Sequence, residues 1–182
     1  PRPVTRRDQF SNAEYFIVAL DPYHDKRTGY SFSVSSGGVQ GDSYHPQDEE
    51  DNRDPAFNPV WESHITFDSA GWYVEMRIPF SSIRYSDSNP EQWGVLLYRN
   101  RPRDFRYQYF SSKLPREKNC FICNVRPLVG VKDLPSGSHW VAAPNVTASP
   151  AFITIPSCRC WNGAVLPSPC WQARRLARRR RP

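Results

Sequence analysis

At 182 residues, 14% aromatic, with 18 Pro, 9 Gly and one Met, the chain is long enough for one domain with its own core and too poor in aliphatic runs for a helical bundle. Six of its 24 Lys and Arg fall between Arg174 and Pro182 (RRLARRRRP), and the other 18 balance 18 Asp and Glu, so the net charge of +6 belongs to a tail and the neutral body lacks the basic face that nucleic-acid binding needs. No stretch approaches the ~20 apolar residues of a membrane helix, and the opening PRPVTRRDQF, without a Met, reads as a start inside a larger protein.

Tyr15 to Leu20 (YFIVAL) is apolar on both faces, the pattern of a central strand covered on both sides. Asp21 to Gly29 (DPYHDKRTG) is a polar connection with Pro early and Gly late. Tyr30, Phe32 and Val34 then alternate as inward residues with outward Ser31 and Ser33, and Gly37 and Gly38 end that strand. Asp42 to Pro59, rich in Asp, Asn and Pro, reads as a long surface loop. Trp61 to Phe67 alternates again, with Trp61, Ser63, Ile65 and Phe67 against Glu62, His64 and Thr66. A tight turn at Asp68–Gly71 leads into Trp72, Val74, Met76 and Ile78 alternating with Tyr73, Glu75 and Arg77, so the two segments are expected to form a hairpin. Pro79 cannot donate to a ladder and should end the second strand. Trp93 to Arg99 is a further buried strand, and Phe105 to Phe110 another with Phe105, Tyr107 and Tyr109 on one side. His139 to Ala143 is a short last candidate. Strands with one dry face must pack on a second layer, which gives an all-β antiparallel β-sandwich over residues 1–149. Residues 150–182, crowded with Pro, Cys and Arg, show no usable period and are expected to be an unstructured tail, solvated or non-native in sequence.

In order and spacing, Asp21-Pro22-Tyr23-His24-Asp25, Val60-Trp61-Glu62 and Gly71-Trp72 through Ile78-Pro79-Phe80 resemble the family 9 carbohydrate-binding-module-like domain. More narrowly, they resemble the version that precedes an outer-membrane β-barrel in large bacterial proteins. The likeness spans residues 4–149. It implies a jelly-roll-like sandwich truncated before Pro1 by one or more strands and a periplasmic or outer-membrane location. It further implies a sugar-binding ancestry, with a tryptophan pair and nearby calcium in sugar-binding members, and a barrel of the parent protein as neighbour.

Candidate binding residues follow from chemistry. Exposed Trp offers a flat π face to the C–H face of a sugar ring. Trp61, at the mouth of the long loop, is either that platform or a core residue beside Ile65 and Phe67; Trp140 is a second platform candidate. Glu62, His64 and Arg77 on wet faces could orient hydroxyls, as could Arg99 and Arg101. Asp21 and Asp25 offer hard oxygens to calcium, or else simply accept backbone N–H bonds in a turn. Cys120 and Cys123 form one C-x-x-C, without the further ligands zinc needs, and are expected to be a structural disulfide in an oxidising periplasm. Glu62 and Glu75 on adjacent strands could in principle serve glycoside hydrolysis, yet no cleft surrounds them and no other catalytic motif is present. The expectation is a monomeric, non-catalytic carbohydrate-binding module, the alternative an interaction domain of the same fold that packs on the barrel or a partner without binding sugar.

Overall fold

A computed structural model describes residues 2–10, 12–47, 53–54, 56–86, 92–114, 117, 120–134 and the backbone of 152–161. Strand β1 (Tyr15–Asp21) pairs antiparallel with β2 (Gly29–Ser35), which pairs with β3 (Gln40–His45). The hairpin β4 (Glu62–Phe67) and β5 (Gly71–Pro79) follows, with Glu62 opposite Arg77 and Phe67 opposite Trp72. Strand β6 (Trp93–Pro102) returns to the other side of β1, and its far edge is shared by β7 (Arg106–Phe110) and β8 (Arg126–Leu128). The large sheet therefore runs β3-β2-β1-β6-β7 with β8 beside β6, and a small sheet runs β4-β5-β9, where β9 is Phe152–Trp161.

The two sheets face each other across one core, as the alternation requires. Phe16, Val18 and Leu20 of β1, Phe32 and Val34 of β2, and Trp93, Val95 and Leu97 of β6 meet Trp72, Val74, Met76 and Ile78 of β5. Each such side chain contributes on the order of 1.5–3 kcal/mol by leaving water. The small sheet keeps its other face wet. The outer face of the large sheet does not stay wet. Ala19 and Leu96 pack there under Ile122 and Val125, which explains why β1 is apolar on both faces.

Two expectations change and one is refined. Ser31 and Ser33 lie on the face away from Phe32 and Val34, as the alternation requires, but that face is covered and both are buried. Ser33 Oγ donates to Gly41 O at 2.9 Å, and Ser31 Oγ meets His45 Nε2 at 3.0 Å, under a stacked Phe121 ring. The expected loop from Asp42 begins inside β3, because the turn at Ser36–Gly38 folds the chain back on β2 and Gly41 lets the Phe10 ring come close against the strand. The expected unstructured tail contributes β9, paired with β5 from Gly71↔Trp161 to Pro79↔Phe152. An unpaired edge on β5 is a template for any extended segment, and Phe-Ile-Thr-Ile at 152–155 has the aromatic and β-branched content to take it. The strand expected at 139–143 lies outside the described residues.

Candidate functional site

The structure separates Trp61 from the polar residues expected to bind sugar with it. Trp61 is 5% exposed. Its ring sits edge-on to Phe32, with centroids 5.3 Å apart, and its indole Nε1 donates to Asp42 Oδ1 at 3.1 Å. A tryptophan so placed presents no face to a ligand, so the platform reading of Trp61 is corrected to a core role with its one polar atom satisfied. Glu62, His64, Glu75 and Arg77 lie on the outer face of the small sheet, on the other side of that sheet from the core. Glu62 and Arg77 form an exposed ion pair at 3.3 Å, and no cavity among those described encloses them. Trp140 lies outside the described residues.

The Asp21–Asp25 loop resolves in favour of a turn. Asp21 is fully buried and accepts from the backbone N–H of Asp25 at 3.3 Å and of Lys26 at 2.8 Å. Asp25 accepts from Arg27 N, Thr28 N and Thr28 Oγ1, each at 2.8 Å. These carboxylates hold His24 and Lys26 in the left-handed backbone region, with φ of 53° and 56°. Burial pushes the Asp21 carboxyl above its ordinary range, ahead of the two backbone hydrogen bonds that favour its ionised form. The turn's own N–H groups and the Thr28 hydroxyl occupy these carboxylate oxygens, and among the described residues no group of three or more His, Cys, Asp or Glu is placed to hold an ion. Cys120 and Cys123 are bridged with Cα atoms 5.8 Å apart, and Asn124 Nδ2 donates to Cys120 O at 2.8 Å to close the same turn. The bridge anchors the segment that carries Ile122 and Val125 onto the large sheet.

Polar chemistry gathers elsewhere, at the end of the sandwich where β6 and β7 run past the hairpin turn. Arg99 follows Trp93, Val95 and Leu97 by the period of two, so it points to the core face and is 5% exposed. Its Nε donates to Glu14 Oε1 at 2.9 Å and its Nη2 donates to the same oxygen. Trp72 Nε1 adds a third donor at 3.2 Å, and Arg103 Nη2 meets Oε2 at 3.1 Å. Burial pushes the Glu14 carboxyl upward, but the hydrogen bonds of Arg99 and Trp72 and the charges of Arg99 and Arg103 outweigh it, leaving Glu14 below the usual carboxylate range and ionised. A cavity of about 270 Å³ opens over this cluster, lined by Phe67, residues of the β4–β5 turn, Arg99, Arg103 and Ser36. Arg2 also lines it, its guanidinium 3.5 Å from the centre of the Phe67 ring.

The face continues onto β7. Directly opposed residues of an antiparallel pair share a face. Tyr109 lies opposite Arg99 and Tyr107 opposite Arg101, so two aromatic rings and two guanidinium groups line one side. Arg99 stands 6.0 Å from the Tyr109 ring centre, and Tyr107 is 44% exposed. Flat π faces beside planar donor groups are what a polyhydroxylated ring with apolar C–H faces requires. Sequence reasoning placed Tyr107 and Tyr109 together but put Arg99 on a wet face. Counting in twos from Trp93 gives the correct side. Glu14 precedes β1 in phase with Phe16, Val18 and Leu20, but a lone carboxylate there does not name its partners. Comparison of the chain with protein-family models, with curated proteins and with solved structures finds no match in any of the three.

Proposed function

We propose that this chain is a non-catalytic carbohydrate-binding β-sandwich of an envelope protein, with its ligand seated on the β6–β7 face and the adjoining cavity. The observation that carries the reading is the exposed Tyr107 ring in register with Arg101, beside Tyr109 opposite Arg99, where Arg99 also lines a cavity large enough for one sugar-sized group. The resemblance to the family 9 carbohydrate-binding-module-like domain supports the ligand class. The bridged Cys120–Cys123 pair supports an oxidising compartment such as the bacterial periplasm. The exposed positions of Glu62 and Glu75 support binding without hydrolysis, since paired carboxylates act only across an enclosed bond. Glycan-array screening of the full chain followed by calorimetry tests this. A glycan that binds wild type and loses about tenfold or more in affinity to Tyr107→Ala is expected, a change near the ~1–1.5 kcal/mol that ring stacking contributes.

The burial of Trp61 favours a second reading, an interaction domain of the same fold that packs on an outer-membrane barrel or another partner and has no glycan site. The same screen separates them: a folded sample silent on every glycan supports the second.

A further inference from the structure

The cavity beside β6 is unevenly charged once its hydrogen bonds are assigned. Three arginines, Arg2, Arg99 and Arg103, line it. Both acids near it are already engaged. Glu14 Oε1 accepts from Arg99 and Trp72 and its Oε2 from Arg103. Asp68 Oδ1 accepts from Ala70 N at 2.7 Å and Gly71 N at 2.9 Å, and its Oδ2 accepts from the Tyr73 hydroxyl. Stacking of Arg2 on Phe67 uses the face of its guanidinium and leaves the in-plane N–H groups for an acceptor. Ser36, also in the wall, is 6% exposed and its Oγ is buried with no hydrogen-bond partner. A buried hydroxyl without a partner is unfavourable, so a group that supplies one gains by entering. The lining thus offers donors in excess and a net charge of one positive.

We propose that this cavity receives the carboxylate of an acidic sugar, a uronate, with Arg103 and Arg2 as its ion partners and Ser36 Oγ donating to it, while Tyr107 and Tyr109 pack on the sugar rings that follow. This deepens, and rests on, the glycan-binding reading above. A carboxylate accepts two parallel bonds from one guanidinium, which a neutral hydroxymethyl group cannot do.

The test is calorimetric titration of the full chain with galacturonate, mannuronate and guluronate trimers and with the methyl ester of each, which keeps the backbone and removes the charge. At least one acid is expected to bind about tenfold or more tightly than its ester. That preference should shrink in Arg103→Gln and in Ser36→Ala and weaken with added salt. Arg103 is half exposed and Ser36→Ala removes one atom, so both variants should fold, and thermal unfolding checks that they do. Equal binding of acid and ester, with loss in Tyr107→Ala, overturns the uronate assignment and leaves the glycan reading standing. An acid preference untouched by both variants places the carboxylate elsewhere and overturns it too. Binding of a polyglutamate peptide with the same Arg103 dependence, and more tightly than any uronate, would show a protein ligand instead. No binding of any glycan ends both proposals.

Discussion

At the residue scale, Trp61 shows how one side chain can look functional and be structural. An indole beside acidic loop residues suits a sugar platform, but the Asp42 that it meets is on the core face of β3 and already holds Arg7 in an ion pair. Trp61 therefore closes the sandwich edge between β3 and the start of β4. Trp61→Ala is expected to cost about 3–5 kcal/mol of stability, the range for removing a large core aromatic, measured by urea unfolding. Glycan affinity of the fraction still folded should be unchanged. If the variant is as stable as wild type and loses binding, Trp61 is a ligand residue after all. What sequence could not supply was the partner: no spacing predicts that Asp42 accepts from an indole 19 positions away. Arg99 was within reach, because parity along β6 assigns its side, but a charged residue invites a solvent reading that only Glu14, 85 positions earlier, reverses.

At the element scale, the strands with strict alternation were the legible ones. The β4–β5 hairpin follows from its pattern, its Asp68 turn and Pro79. β3 was hidden because Gln-Gly-Asp-Ser has weak strand propensity and is held by tertiary contacts, Gly41 under Phe10 among them. β9 was hidden because Pro156 breaks its pattern in mid-strand, where the pairing with β5 shifts register. Close packing of the 120–128 segment on the large sheet also depends on a glycine that no pattern singles out. A Cβ at Gly94 would run into the Val125 side chain and come within 3.3 Å of Asp21 Cβ. Gly94→Ala is expected to destabilise by about 1–3 kcal/mol, as overpacking does, and to raise hydrogen exchange in β8 and the Cys120–Cys123 turn first. Unchanged exchange there would mean that the segment does not depend on this contact.

At the scale of the whole molecule, buried ionisable groups set the pH response. His45 is 3% exposed; burial first, and the Arg53 charge second, push its imidazole down to about 4. The unfolded chain, with an ordinary value near 6.5, binds a proton that the folded chain refuses. Stability therefore falls as pH drops from about 6.5 to about 4, by on the order of 3 kcal/mol in total. Glu14, held below its ordinary value, adds stability that is present above the unfolded value and lost as pH falls through the folded one. Asp21 and Asp42, both raised chiefly by burial, act in the opposite sense and gain stability on acidification. His45→Gln should flatten the slope between pH 6.5 and 4 in urea unfolding followed by tryptophan fluorescence. A slope as steep as wild type would assign the response to other groups.

The placement of the ligand face is tested most directly by amide and side-chain NMR shifts of the labelled chain during titration with the tightest glycan from the array. Expected are shifts confined to Arg99–Tyr109, Glu14, Ser36 and the Phe67–Trp72 turn, with Glu62, His64 and Arg77 silent. Shifts centred on the outer face of the β4–β5 hairpin, or none with any glycan, would contradict it.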